Sequence, residues 1–316
     1  MRSFLIRFLL FCLGLVMLNL VVSFGITRGM LFKPYLAVKK CPDQPEAVIL
    51  GDSHGAVLMQ TDLPESIFNM SFGSDNLMDM YLKLHFCIRH NPGLRAVLIT
   101  ADDHIFNAYR KSKNNASRSV FFADYSAYRN VYHANPVQYV MLRHVLPWMP
   151  LFDLNNAQLL SQYARIMIRR RLNPDGYANA ILWKNLNPAV RQDKARTRVM
   201  NQFEGDFDNG LHDAFRKIVL LCRQHQLKLI GIRFPVTEEY AGAVPQICHD
   251  HVNAVFNEAG IPIVDFQNVY IGQPDLFLDQ DHLNREGSRK FGCSLENVVL
   301  HQKMWDADNA LITVPN

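Results

Sequence analysis

The sequence has no large charge excess, no C-x-x-C pair, no internal repeat and no low-complexity tract. Only 20% of its 316 residues are charged and the formal net charge is +4, so bulk charge gives no indication of nucleic-acid binding. The six cysteines lack the spacing of a zinc or redox motif. Hydrophobic residues make up 49% of the chain, which excludes collagen-like and disordered classes. Its length suits one sizeable α/β domain with an insertion, or two small domains.

The longest apolar stretch lies at the N-terminus. Residues 8–26 (FLLFCLGLVMLNLVVSFGI) are interrupted only by Asn19 and Ser23, and as a helix they would cover about 28 Å, enough to cross a bilayer core. A cleaved signal peptide is the competing interpretation, but its apolar region is usually shorter and no A-x-A-like site follows here. We therefore predict an uncleaved membrane anchor over residues 1–28 and a proline-containing stalk over residues 29–46.

Lysines and arginines lie on both sides of this span, so the positive-inside rule alone leaves its orientation open. A short N-terminal tail before a large domain is the usual signal-anchor arrangement. We therefore predict a single-pass protein of the cell membrane, with a cytoplasmic N-terminus and an extracytoplasmic (periplasmic) domain. A disulfide is permitted in that compartment, but the odd number of cysteines outside the span leaves any pairing open.

Beyond residue 46, short apolar runs alternate with segments of helical period. The predicted strands are 47–50, 66–70, 96–100, 227–234 and 262–266, and the predicted helices are 77–88, 211–226, 244–259 and 284–300. This alternation predicts an α/β domain over residues 47–316, a three-layer arrangement around a doubly wound parallel sheet.

Residues 104–209 show no such alternation, and we predict a mostly helical insertion there. The insertion contains fifteen lysines and arginines against seven acidic residues. Arg165 and Arg169–Arg171 form a basic patch within it, which could meet anionic lipid or glycan. A solvated helix end explains the same patch equally well.

Ser53 directly follows the first predicted strand, in the segment AVILGDSHG (47–55). Open α/β sheets place their sites at the carboxyl edge of the sheet. A helix beginning near His54 would direct its N-terminal amides and dipole toward negative charge beside Ser53, which suits an oxyanion intermediate. A GDS segment on its own also fits an ordinary turn and helix cap, so the prediction depends on a partner elsewhere in the chain.

The partner segment is DLFLDQDHLNREG (275–287). A serine nucleophile needs a base, and an imidazole base needs an acceptor that fixes its tautomer. Asp279 and His282 are three residues apart, which can bring their side chains together in one turn before the last helix. We expect Asp281 to point elsewhere and His54 to be a local polar residue rather than the base. Loop caps and a solvated histidine are the alternative interpretation of this segment.

Together the two segments resemble the SGNH (GDSL) hydrolase superfamily. Ser53 matches the family nucleophile, and Asp279 and His282 match its terminal acid and base. Gly73 falls where the family places a glycine whose N–H helps to form the oxyanion hole. The chain departs from the family at the third block, where Asp102 stands near the position of an asparagine donor. A carboxylate cannot donate unless it is protonated, so we expect Asp102 to point away and Asn76 or Asn107 to substitute, or the Ser53 and Gly73 amides to suffice.

The resemblance implies an extracytoplasmic serine esterase or O-acyltransferase that acts on acyl esters of cell-envelope carbohydrate. Divergent anchored members of the superfamily occur beside membrane-bound O-acyltransferases, so such an enzyme is a possible partner, besides the membrane itself. The alternative is a catalytically weakened domain that binds glycan or organises a polysaccharide-modification complex. We predict no cofactor, no metal and no nucleic-acid partner.

Overall fold

The computed structural model describes residues 1–24, 45–149 and 182–300, together with residues 161, 165, 168, 171, 312 and 313. The predicted stalk lies outside the described residues except for positions 45 and 46, and so do two arginines of the basic patch. The chain divides into two compact units. One takes in Met1–Lys40, Asp124–Arg129 and His133–Ala180, and the other takes in Cys41–Ala123, Asn130–Tyr132 and Ile181–Asn316.

The first unit contains the N-terminal helix α1 (Arg2–Val22), whose mean hydropathy reaches 2.5. Its length and composition are sufficient to cross a membrane. Signal sequences share these properties, so the uncleaved anchor and its orientation stay predictions. Near the end of the helix, Ser23 Oγ donates to Pro147 O at 2.7 Å and the rings of Phe24 and Trp148 lie 5.5 Å apart.

The second unit is built on a parallel sheet of five strands. They are β1 (Ala47–Leu50), β2 (Ile67–Asn69), β3 (Ala96–Thr100), β4 (Lys228–Arg233) and β5 (Ile263–Asp265). Their order is β2-β1-β3-β4-β5, and the two-residue strand β6 (Ile312–Thr313) pairs in parallel with β5. Every residue of β1 and β3 is buried, as expected of central strands in a parallel sheet covered on both faces. The five predicted strands are confirmed within one residue at each end.

The described helices of the second unit follow the predicted pattern. Those next to the sheet strands are α2 (Ser53–Ala56), α3 (Leu77–His90), α9 (Asn209–Gln224), α10 (Glu238–Ala241), α11 (Gln246–Glu258) and α12 (Arg285–Leu300). Between β3 and α9 lie α4 (Ala108–Ser112), α5 (Ala116–Ser119), α6 (Tyr125–Tyr132), α7 (Pro136–Val140) and α8 (Pro188–Gln202). Of these, α6 reaches into both units and α7 belongs to the first. The four predicted helices are confirmed, and the described part of the region 104–209 contains helices and no strand.

The sheet brings its functional candidates to one edge. Because the strands run in parallel, the segments that follow β1, β2, β3 and β4 all leave the sheet at its carboxyl edge. Ser53, Gly73, Asp102 and Phe234 begin or lie in those segments. The described cysteines, which are Cys12, Cys87, Cys222, Cys248 and Cys293, are free thiols.

Gly231 in the middle of β4 tests how tightly the helices cover this sheet. A Cβ there would lie 2.7 Å from Phe256 Cε1 on α11 and 3.1 Å from Ala101 Cβ. Gly231→Ala therefore forces the packing apart, and we expect it to lower the free energy of unfolding by about 1–3 kcal/mol. Urea unfolding of the full chain in detergent, followed by circular dichroism, measures this. Most of the loss should disappear in a Phe256→Leu background, and additive effects would contradict the contact.

Candidate active site

Ser53 is the first residue of α2 and is half-buried. The carboxylate of Asp52 caps this helix by accepting the His54 N–H at 3.0 Å. A Cβ on Gly55 would collide with Ser71 Oγ, so the turn after Ser53 requires glycine. The helix starts one residue before the expected position but has only four residues. The predicted contribution of a helix dipole is therefore small, and individual backbone amides matter instead.

The turn that follows β2 contains the backbone amide of Gly73 and lies next to the loop that contains Ser53. Phe72 N–H donates to Gly51 O at 3.2 Å, and Asp75 N–H donates to Phe72 O at 3.0 Å. Within the described part of the chain, the backbone N–H groups of Ser53 and Gly73 donate to no acceptor. Both amides are thus available to bind an oxygen that develops negative charge.

Asn76 occupies a different position from the one expected of an oxyanion donor. Its Oδ1 accepts from the N–H groups of Met78 and Asp79 at the start of α3, and its Nδ2 approaches Arg110 O at 3.4 Å. The side chain is fully buried. Asn76 therefore forms the cap of α3, and this is where its hydrogen bonds are used.

His282 lies against two carboxylates. Its Nδ1 is 2.9 Å from Asp279 Oδ1 and 3.2 Å from Asp281 Oδ1. The backbone N–H of His282 also donates to Asp279 Oδ1 at 2.9 Å, so the D-x-x-H spacing closes a single turn as the sequence suggested. The expectation that Asp281 points elsewhere is wrong, because its side chain turns inward under the imidazole and is completely buried.

These two carboxylates control the charge of His282. Burial by itself would lower the pKa of this imidazole, but the hydrogen bonds to Asp279 and Asp281 outweigh burial and raise the pKa to about 9. Since Nδ1 is bound to carboxylate, the ring nitrogen left for proton transfer is Nε2. Among the described residues no hydrogen bond joins Ser53 Oγ to His282, and catalytic hydrogen bonds of this kind often tighten only when substrate is bound.

His54 is held in the interior of the site by carboxylates at both ring nitrogens. Nδ1 lies 2.8 Å from Asp102 Oδ2 and Nε2 lies 3.4 Å from Asp281 Oδ2. Its ring centroid is 5.1 Å from that of His282. Burial alone would lower the pKa of His54, but the carboxylates of Asp102 and Asp52 reverse this and hold the pKa well above 6.5. The surroundings of His54 therefore favour its protonated form, which makes it a poor candidate for the base.

The contacts of Asp102 account for an aspartate at this position, where the family that the sequence resembles has an asparagine. Asp102 accepts hydrogen bonds from Thr100 Oγ1 at 2.9 Å and from Phe234 N at 2.8 Å, besides its contact with His54. Both oxygens of Asp102 thus have hydrogen-bond partners, and Oδ2 lies against the ring of His54. Asp102 and His54 thus form a matched pair, which the sequence pattern did not reveal.

Two further buried carboxylates, Asp52 and Asp281, border the pair. Asp52 Oδ2 lies 3.0 Å from His104 Nε2 and 3.2 Å from Arg110 Nη2. Burial would raise the pKa of Asp52, but Arg110, His54 and His104 hold this pKa well below its ordinary value.

Asp281 is the second of these carboxylates. Its Oδ2 accepts from Arg198 Nε at 2.9 Å and from Gln202 Nε2 at 3.0 Å, and both residues lie on α8. Sequence reasoning missed these partners because they come from the region between β3 and α9.

Two groups of described side chains are close enough to share a metal ion. They are His54 with Asp281 and His282, and Asp52 with His54 and Asp102. Both groups include His54, whose nitrogens are engaged by carboxylates. Metal ligation requires neutral imidazole, whereas the surrounding charges favour the protonated form, so these donor atoms fit a hydrogen-bonded ion network better than a metal. The expectation of no metal stays a prediction.

Comparisons with known proteins give little beyond this geometry. No family model matches the chain, and no curated protein matches it. Nine chains of solved structures match. One of them is a Bacteroides fragilis protein described as a "putative acylhydrolase"; the match covers 86% of this chain and 96% of that one, with 11% identity and a TM-score of 0.38. A match this distant carries no argument about activity, so the functional conclusion rests on the site itself.

The Asp102–His54 pair predicts a pH-dependent stability difference. Asp102→Asn keeps the shape but removes the charge next to the imidazolium, which should lower the free energy of unfolding by about 3–5 kcal/mol. The folded-state pKa of His54 is raised, so this stabilisation is complete below about pH 6.5 and is lost as pH rises through the folded pKa. Urea unfolding of the wild type and the variant from pH 6 upward measures the difference.

Asp213 provides a control, because it forms an exposed ion pair with Arg216. Asp213→Asn should change the free energy of unfolding by less than about 1 kcal/mol at every pH. A destabilisation by Asp102→Asn that stays constant with pH would show that His54 is neutral in the folded protein.

Proposed function

We propose that this protein is an extracytoplasmic acyl enzyme of the SGNH type, an esterase or O-acyltransferase. In this proposal Ser53 attacks the ester carbonyl and His282 accepts the serine proton through Nε2. Asp279 fixes the tautomer of His282, and the N–H groups of Ser53 and Gly73 bind the oxyanion. His282 then gives this proton to the leaving alcohol as its C–O bond breaks, which leaves an acyl group on Ser53 and a neutral imidazole. Water or a sugar hydroxyl attacks the acyl-Ser53 while His282 removes the proton of that acceptor, and His282 returns the proton to Ser53 Oγ as the acyl–serine bond breaks.

The observation that carries the proposal is the contact between His282 Nδ1 and Asp279 at 2.9 Å. It is the orientation that a histidine base requires, and it occurs at the same sheet edge as Ser53 and two amides without acceptors. Asn76 has no part in the proposed oxyanion hole, because its amide caps α3. The absence of an asparagine donor at the third block is compatible with a hole of two amides.

The fold and the N-terminal helix support the wider proposal. The strand order β2-β1-β3-β4-β5 is that of flavodoxin-like doubly wound sheets, to which we assign this domain. We further propose that α1 anchors the chain with the domain outside the cytoplasm, and that the acyl group is carried by a cell-envelope carbohydrate. A membrane-bound O-acyltransferase is the proposed partner for the case in which the enzyme transfers rather than hydrolyses.

The nucleophile is tested with full-length protein in detergent. A fluorophosphonate probe and an activated acetyl ester should both react with the wild type, with the adduct found on Ser53 by mass spectrometry. Ser53→Ala should abolish labelling and reduce ester cleavage by more than about a thousandfold, since the hydroxyl that forms the covalent bond is missing. The exposed Ser112→Ala should behave as wild type.

The outcomes separate the candidate functions. Labelling of Ser53 with slow hydrolysis would favour a transferase that needs its acceptor. If the folded wild-type chain shows no labelling and no hydrolysis, Ser53 is not a nucleophile. The glycan-binding or scaffold alternative then remains.

The two carboxylates at His282 predict an alkaline pH profile. The base must be neutral to accept the serine proton, and a pKa of about 9 leaves ~1% of it neutral at pH 7. We expect kcat/KM to rise about tenfold per pH unit and to level off near pH 9. Rates are measured from pH 6 to pH 10 after subtraction of the Ser53→Ala background.

Asp281→Asn should move the midpoint of this profile to lower pH, because it removes one of the charges that stabilise imidazolium His282. Asp275→Asn, which alters an exposed carboxylate of the same loop, should leave the midpoint unchanged. Identical midpoints for all three proteins would show that Asp281 does not influence the base.

A further inference from the structure

The turn that carries the Gly73 amide is held by hydrogen bonds and not by packing around its glycine. A Cβ added to Gly73 would meet no atom within 4 Å. The next residue, Ser74, has a positive φ of 71° and is exposed. A turn of this kind keeps one conformation only if its polar groups are bound from outside.

The short segment around Asn115 provides those contacts. Asn115 Nδ2 donates to Gly73 O at 2.9 Å and to Asp75 Oδ1 at 2.7 Å. The guanidinium carbon of Arg118 lies 5.7 Å from the centre of the Phe72 ring. Residues 115–118 therefore contact three of the four residues of the turn 72–75.

The geometry of the peptide bond connects these contacts to the free amide. Phe72 C=O and Gly73 N–H belong to one trans peptide and point in opposite directions. Asp75 N–H binds Phe72 O, which directs Gly73 N–H to the other side. Asn115 binds the carbonyl of the following peptide, Gly73 O, so the peptides on both sides of the Gly73 Cα are fixed.

Asn115 is itself held rigidly. It is only 6% exposed, its N–H donates to Asp79 Oδ2 at 2.9 Å, and its Oδ1 accepts from Arg118 Nη1 at 3.1 Å. A buried amide with its donor and acceptor sides both occupied cannot rotate without loss of several hydrogen bonds at once. Because Asp79 lies on α3 and Arg118 lies on α5, these two helices fix the position of Asn115 relative to the turn.

We propose that Asn115 is a positioning residue that orients the Gly73 amide for the oxyanion. The inference rests on the proposed acyl chemistry, in which that amide is one of two donors. An oxyanion hole is effective because its donors are aimed before the charge develops. In this proposal the region between β3 and α9 supplies a residue that acts on the oxyanion hole through the turn of Gly73.

The neighbouring residue Asn114 offers a matched control. It is exposed, and among the described residues its side chain bonds to the nearby Lys111 O and Ala116 N–H. In the full-length protein, Asn115→Ala should lower kcat for an activated acetyl ester about tenfold to a hundredfold, with KM within about threefold of wild type. Asn114→Ala should change neither, since it does not touch the turn.

A second measurement does not depend on turnover. Hydrogen exchange followed by mass spectrometry reports the protected N–H groups of Phe72 and Asp75. Asn115→Ala should accelerate exchange in peptides that cover residues 70–76, while peptides from β3 and β4 keep the wild-type rate. If Asn115→Ala does not fold, Arg118→Ala replaces it, because it removes a support of Asn115 and the contact with Phe72 but keeps the amide.

The outcomes separate this inference from the proposed function. A lower kcat together with faster local exchange supports the positioning role. Ser53-dependent turnover that is equal in wild type, Asn115→Ala and Asn114→Ala overturns the positioning role and leaves the acyl enzyme intact. Faster exchange without a change in kcat also overturns it. No Ser53-dependent turnover in the wild type overturns the acyl enzyme itself, and with it the catalytic meaning of Asn115.

Discussion

Charge compensation at the carboxyl edge of the sheet is the constraint on which this site depends. Asp52, Asp102 and Asp281 are each at most 4% exposed, and an isolated buried carboxylate would be too costly to keep ionised. His54 touches all three, through its backbone N–H to Asp52 and its ring to the other two. His54 therefore joins the segment after β1 to the segment after β3 and to the loop before α12.

The same constraint determines how the proposed base behaves. Asp281 compensates His54 but also faces His282, so the imidazole of His282 has a carboxylate beyond the Asp279 partner of a simple triad. The result is a strongly basic histidine with a pKa of about 9. A base of this strength is mostly protonated at neutral pH, so proton transfer through His282 is expected to be slow there and to become faster as the pH rises.

The region between β3 and α9 completes the site and is not merely attached to the domain. Arg110 compensates Asp52, and Arg198 and Gln202 hold Asp281. Asn115 reaches the turn that contains Gly73. A long, basic segment without strand pattern looks like a surface addition in the sequence, yet in the fold its polar side chains are the partners of the buried edge.

The sequence by itself determined the strands, the helices between them and the local turn of Asp279 and His282, because hydrophobic period and an i, i+3 spacing are local properties. The GDS and D-x-x-H segments suggested a common site, which parallel strands made reasonable. Only the tertiary structure decided that Asp281 faces His282, that Asp102 pairs with His54 and that Asn76 caps a helix. Those outcomes depend on which charges are buried together, and burial joins residues up to 227 positions apart, a relation that no local pattern encodes.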